Sequence, residues 1–411
     1  MAGLSTLPMS RLADRLRPHW QRFRQIPVVR RWWREGVVIA ALLIVVLAPF
    51  ILRPAEGGAP SRFDRRLVIL TPHHEKIRHE FGRAFARKWK QDRGENLYVD
   101  WRVAGTSEIT LMMRSDYAAA FELYWTDQLG QKWAPEVASA FGNARVTLPL
   151  AGDRTPLTVA QEARKAFLDS ATSVGADLFF GGGAVDYEGQ ARAGFLVAAD
   201  ATTKFGLKPL MKQHPEWFRA EVIPQTLSGE VFYDKDQRWV GTCLSSMGIC
   251  FNRDVLKRLG IEKEPTQWSD LADPRYLGQI ALADPNKSGT VTKCFEQLIQ
   301  QQMELAIREE RSKPAGFRTD AELLATGIAL GWERGVQLIQ RISANSRYFT
   351  DNATKIPLEV AQGDAAAGMC IDFYGRSFEE QVRKADGSTR IGYVTPLGGS
   401  SMGVDPMAML R

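Results

Sequence analysis

Cysteine is scarce: four in 411 residues, Cys243, Cys250, Cys294 and Cys370. Their spacing fits neither a zinc site nor a C-x-x-C redox pair. A disulfide outside the cytoplasm and buried reduced thiols both remain open. The common catalytic motifs are also missing. There is no G-x-S-x-G; "GGSSMG" at 398–403 resembles it only superficially. The Lys287-Ser288 pair lacks the glycines of a phosphate loop. Of the five histidines, His74 and His79 are five apart, so on a helix they diverge by about 140° and cannot form the H-E-x-x-H zinc pair. No carboxylates form a spaced catalytic pair. Neither an enzyme nor a cofactor or resident metal is expected, and there is no internal repeat or low-complexity tract.

Lysine is absent from residues 1–64, which nonetheless hold ten arginines against Asp14, Glu35, Glu56 and Asp64. The remainder holds 43 basic and 43 acidic residues, so the whole net charge of +6 sits at the N-terminus. No basic stripe with interleaved aromatics follows, which excludes nucleic acid as a partner. Only one long apolar run occurs, Val37–Leu52, preceded by Arg30, Arg31 and Arg34 with Trp32 and Trp33. As a helix it spans about 24 Å, against about 30 Å for a hydrocarbon core, so the flanking residues must help. Residues 36–53 read as an uncleaved signal-anchor, not a cleaved leader, because no small-x-small site follows cleanly. The positive-inside rule keeps the basic segment 1–35 in the cytoplasm and exports the rest, placing a single-pass protein in the inner membrane with its globular part in the periplasm or outside the cell. No Cys follows the run, which excludes a lipoprotein.

Residues 54–64 read as a linker. "RLVILT", a helix over 75–89 and "LYVDWRVA" at 97–104 set a strand–helix–strand rhythm that predicts a parallel sheet. Residues 111–172, rich in aromatics, read as an inserted helical subdomain. "GADLFFGGG" at 175–183 resumes the sheet, and the long β-type run from Trp239 is able to cross between domains. Helices are expected near 290–307, 320–342 and 356–362, with strands at 280–283 and 365–375.

"TPHHE" at 71–75 places Thr71 as a helix N-cap and Pro72 at the first helical position. His73 and His74 then fall in a first turn, free to hold a metal, to donate to a ligand or to face solvent. Similar helix starts recur at Thr106-Ser107, Ser288-Gly289-Thr290 and Asn352–Thr354, and "FFGGG" removes side chains at 181–183. Helix N-termini favour anions, and open α/β sheets place ligands at such loop ends.

These ordered segments resemble bacterial extracellular solute-binding proteins of ABC transporters, with the type 2 periplasmic-binding fold. The resemblance rests on "LVILTPHHEKIRHEFGRAF", "YVDWRVAGTSEI", "ADLFFGGGAVDYEGQARAGFL", "WVGTCLSSMGICFNRDVLKRLGI", "PTQWSDLADPRYLGQIALADPNKSGTV" and "PLEVAQGDAAAGMCIDFYG". It implies an α/β protein of two lobes: lobe 1 over 65–244, lobe 2 over 245–395, and a crossover back to lobe 1 over 396–411. The helices that would finish lobe 1 do not follow, so the chain reads as truncated or the lobe as ending early. By position, the implied ligand contacts are Thr71, His73, Thr106, Ser107, Gly182, Gly183, Ser245, Ser246, Ser288, Thr290, Asp372 and Tyr374. The implied partners are a small-molecule or ion solute and an ABC permease with its ATPase. The alternative is an anchored sensory or scaffolding domain on the same fold. The family's solutes include ferric iron, other anions, polyamines, thiamine and sugars. Tyr374 stands without the adjacent tyrosine common in ferric binders, although His73, Asp372 and Tyr374 could suit iron; Trp125, Tyr187 and Asp372 could suit a polyamine.

Overall fold

The computed structural model describes residues 36–47 and 62–411, apart from 151, 153, 199–206, 228, 315 and 317. Two compact units divide the chain at residue 61. In the first, residues 36–47 are helical and exposed. The rest of the expected anchor, with the basic segment before it and most of the linker, lies outside the described residues. Among the described residues no helix is long and apolar enough to cross a membrane.

The second unit is an α/β body. It opens with β1 (Arg65–Thr71), α1 (Glu75–Arg93), β2 (Leu97–Val103) and α2 (Thr106–Leu123). A π-helical turn at Tyr124–Gln128 follows, then α3 (Pro135–Ala140), α4 (Val159–Asp169), β3 (Leu178–Phe180), α5 (Ala184–Ala193) and β4 (Leu196–Val197). Next come α6 (Leu207–Gln213), the hairpin β5 (Thr226–Leu227) and β6 (Glu230–Val231), and the long strand β7 (Trp239–Asn252). The remaining elements are α7 (Arg253–Arg258), β8 (Ile280–Ala283), α8 (Gly289–Ser312), α9 (Asp320–Ala344), β9 (Ser346–Thr350), α10 (Lys355–Gln362), β10 (Ala367–Ile371), α11 (Asp372–Gln381), β11 (Ile391–Val394) and β12 (Met402–Leu410).

Strand pairing runs β2-β1-β3-β12-β7-β10-β8-β9, with β4 on β12 and β11 on β7. The path is continuous, but β7 splits it in two. Residues 239–246 of β7 pair with β12, whereas residues 247–252 pair with β10 and β11. The first half belongs to lobe 1, with β1, β2 and β3 parallel; the second belongs to lobe 2, with β8, β9 and β10 parallel. Each lobe has its own buried apolar cluster. The lobe 1 cluster joins Val68, Phe179, Trp239 and Val404, and the lobe 2 clusters centre on Ile249, Trp268, Ile280 and Val360. The chain therefore crosses between lobes at β7 and again between β11 and β12. Gln301, Trp268 and Ser400 hold the second crossing by bonding Leu397, Gly399 and Met247.

Residues 111–172 do not form a separate subdomain. Tyr117, Phe121, Trp125, Phe141 and Phe167 pack edge-to-face or stacked within the lobe 1 cluster, and the Tyr117 hydroxyl donates to the Phe195 carbonyl at 3.1 Å. Helical period and aromatic content were legible; what their apolar face covers was not. Trp125 and Tyr187 are thereby committed to the core, with the Tyr187 hydroxyl on the Gly181 and Pro406 carbonyls. A polyamine cannot use them as cleft walls.

Phe167 is fully buried among Tyr117, Phe121, Phe141 and Phe195. Phe167→Ala should cost the whole body about 3–5 kcal/mol in urea unfolding followed by circular dichroism. A loss under about 1 kcal/mol would mean that these helices stand apart from the lobe.

Candidate functional site

Strand direction builds the site. In each lobe the parallel strands end at the gap, and the helix after each strand starts there. The loop entering α1 and the starts of α2 and α5 come from lobe 1; the starts of α8, α10 and α11 come from lobe 2. Together they surround a cavity of about 220 Å³, the share of roughly seven water molecules. The lobes touch across it. The His74 backbone N–H donates to the Tyr374 hydroxyl at 3.1 Å, and Gly105 lies so close to the Lys287 carbonyl that a Cβ there would stand 2.2 Å from its oxygen.

Of the residues singled out from sequence, His73, Thr106, Ser107, Gly182, Gly183, Ser245, Ser288, Thr290 and Tyr374 line this cavity. Thr71, Ser246 and Asp372 stand just outside it. Thr71 is the buried last residue of β1, not a cap, and its hydroxyl oxygen accepts the His73 N–H at 3.2 Å. The cap is His74, whose Nδ1 accepts from Lys76. Asp372 opens a helix and does not end a strand. Its carboxylate accepts from Ser246 Oγ at 3.2 Å and from the Phe373 N–H at 2.8 Å. With Asp372 turned to Ser246 and the Tyr374 hydroxyl on His74, the trio suited to iron does not converge. Among the described residues no three His, Cys, Asp or Glu side chains form a metal-holding group.

His73 is 3% exposed, and its Nε2 has no hydrogen-bond partner among the described residues. Burial lowers its pKa to about 4, with Arg78 adding to the effect, so the ring is neutral at pH 7. Gln297, 4% exposed on α8, donates from Nε2 to Ser401 Oγ at 2.8 Å while its Oε1 is likewise unpartnered. Both side chains line the cavity. Such buried polar atoms are costly unless something meets them. The three glycines act structurally as well as by openness. Gly181 and Gly182 have φ of 95° and 114°, and a Cβ on either would come within 2.6 Å of His73 Nε2 or Thr106 Cγ2.

Sequence reasoning missed Asp405, 3% exposed on β12. Pro406 has no N–H for the β7 ladder, and the register shifts there, which leaves Thr242 bulged. The Thr242 hydroxyl donates to the Asp405 carbonyl at 2.7 Å. The Asp405 carboxylate reaches the cavity wall and accepts the Gly182 N–H at 3.0 Å. Burial pushes its pKa up to about 7; the Gly182 bond opposes this and Asp372 adds to it. An Asp-Pro pair inside a strand was the available signal. Asp186, also missed, accepts the Gly183 N–H at 3.2 Å, and burial raises its pKa.

Residues 219–411 match the family model of the bacterial extracellular solute-binding protein. Over the described body the fold is similar to the periplasmic binding protein AfuA of Actinobacillus pleuropneumoniae, solved with exogenous fructose-6-phosphate bound. The TM-score is 0.51 at 16% identity, covering 85% of this chain and 74% of that one. The periplasmic binding protein P5PA gives a TM-score of 0.48 at 14% identity, over 85% and 75% of the two chains. A stretch of 54 residues is 37% identical to an uncharacterized protein of Haemophilus influenzae; the match spans 13% of this chain and 16% of that protein. Residues 219–411 thus resemble the bacterial extracellular solute-binding family, as the ordered motifs implied, and the body has the two-lobed periplasmic-binding fold.

The Asp405 proton has a measurable consequence. The unfolded aspartate ionises near 4 and the folded one near 7, so the folded state loses stability as pH rises through that window. Asp405→Asn keeps an oxygen for the Gly182 N–H. It should match wild type near pH 4 and exceed it at pH 8, by up to about 4 kcal/mol in urea unfolding. An equal difference at both pH values would mean that the carboxyl is ionised throughout.

Proposed function

We propose that this protein is a tethered periplasmic receptor that closes its two lobes over a small solute bearing an oxyanion group and delivers it to an ABC permease and its ATPase. No step of the reading needs catalysis. The observation that carries it is the meeting of six helix starts, three from each lobe, around one cavity. Each start presents backbone N–H groups with partial positive charge. Among the described residues, the hydroxyls of Thr106, Ser107, Ser245 and Thr290 have no hydrogen-bond partner. The carboxylates of the wall are already engaged: Asp186 and Asp405 by glycine N–H groups, and Glu230 and Glu296 by Lys293. What remains unpartnered includes no carboxylate but four hydroxyls able to donate, beside the helix starts, which suits an anion better than a polyamine. The fructose-6-phosphate in the AfuA structure is a ligand of that protein; here it makes sugar phosphates the first probes. Tethering rests on the apolar run from Val37, of which residues 36–47 are helical.

Fructose-6-phosphate and inorganic phosphate should raise the unfolding temperature, whereas spermidine and ferric citrate should not. A ligand at 100 times its Kd adds about 2.7 kcal/mol. Stabilisation by spermidine or ferric citrate alone would end the oxyanion reading, and a flat response to every probe would favour the anchored sensory or scaffolding role. For the probe that binds, Thr290→Val should weaken affinity about tenfold in calorimetric titration, the loss of one hydrogen bond to a charged group; an unchanged Kd would take that hydroxyl out of the site. Membranes washed with alkaline carbonate should retain the full chain; release into the wash would remove the tether.

A further inference from the structure

The hairpin β5–β6 rises from lobe 1 just before β7, with Val231 packed against the lobe 1 cluster. Its Glu230 reaches the opposite lobe. Glu230 Oε1 lies 2.5 Å from Nζ of Lys293 on α8, and Glu296, one turn further along the same helix, lies 3.2 Å from that Nζ. The Lys293 and Glu230 side chains are only 22% and 16% exposed. Burial is the largest single influence and lowers the Lys293 pKa, yet the bonds and charges of Glu230 and Glu296 together outweigh it and the pKa stands above the ordinary lysine value. Among the described residues lining the cavity, Lys293 is the one Lys or Arg.

The two partners belong to different lobes, so this pair exists only when the lobes are together. Opening would leave Lys293 with Glu296 of its own helix and Glu230 with no cation, because among the described residues no other ion pair reaches Glu230. A half-buried pair is screened less than an exposed one. The cavity itself gives each lobe three positive helix ends facing three others, which opposes closure when nothing anionic lies between them. Glu230 supplies a negative charge at that wall from the protein itself.

We infer that the Glu230–Lys293 pair is a latch that holds the lobes together in the absence of solute, with Glu230 occupying the cation that a bound anion would otherwise reach. The second clause rests on the oxyanion reading of the site; the first does not. The receptor then samples the closed form before binding, and a solute anion that contacts Lys293 does so in exchange for Glu230.

The test follows lobe separation in the full chain, in detergent and without ligand, by single-molecule energy transfer between dyes at Lys88 on α1 and Arg308 on α8. Unnatural amino acids carry the dyes because Cys243 is exposed. Wild type should show a closed population that shrinks as salt rises to about 1 M, where the Debye length falls to about 3 Å. Glu230→Gln should shift the ensemble open at low salt and abolish its salt dependence. Glu230→Lys should open it further, and the exchange Glu230→Lys with Lys293→Glu should restore closure. Circular-dichroism melts select variants that remain folded. A Glu230→Gln distribution identical to wild type, or an exchange variant as open as Glu230→Lys alone, overturns the latch. Neither outcome depends on which solute binds, so the latch can fail while the oxyanion reading stands. If the latch holds and no phosphate compound stabilises the chain, the reading of the solute fails instead.

Discussion

The direction of six strands governs this molecule. In each lobe three parallel strands run toward the gap, and each hands the chain to a helix that begins there. Helix starts cannot satisfy their first N–H groups internally, so the gap collects donors and partial positive charge from both sides. That one constraint accounts for a feature that otherwise looks contradictory, an acid-lined cavity with an anion-seeking rim. Asp186 sits in the first turn of α5, Asp372 in the first turn of α11, and Asp405 on the N–H that leads into α5. Each carboxylate meets a helix start before any solute does. The donors they leave unpartnered define what the cleft can still accept.

Much of this was legible in the sequence because it depends on local chemistry. The strand–helix rhythm, the long β-type run from Trp239 and the polar residues at helix starts are short-range signals. Together with the family resemblance, which alone supplied Ser245 and Tyr374, they marked nine residues that line one cavity. The cap at "TPHHE" was misassigned because Thr71 and His74 are both competent acceptors. The choice falls to Thr71 being held in β1 by its ladder with β2, which only the sheet decides. The aromatic tract at 111–172 looked separable because many of its rings pack on one another; its further partners, on β1, β3 and β12, are far away in sequence and leave no local signal.

Asp405, Lys293 and Glu230 were illegible for a related reason. Asp405 and Glu230 lie away from any recognisable helix start, and Lys293, three residues past the Ser288-Gly289-Thr290 start, carries no motif of its own. Asp405 matters through a bulge that Pro406 imposes on a pair of strands 160 residues apart in sequence, and Glu230 matters through a hairpin that bridges lobes. A residue whose role comes from two distant segments meeting leaves little trace in its own neighbourhood. The cysteines were left undecided and prove to be free thiols, three of them buried in lobe 2, where burial raises the thiol pKa of Cys294 and Cys370 and leaves little reactive thiolate.

The continuity of β7 carries one more implication. Ser245, Ser246 and Met247 pass from one set of hydrogen-bonded neighbours to another without a turn or a break in extended geometry. Relative rotation of the lobes must then be absorbed as small changes of twist spread along a rod, resisted at both ends by intact ladders. Such a joint behaves as a torsion spring and not as a slack string: it stores work as it is wound, returns toward a preferred angle when released, and admits swings about few axes.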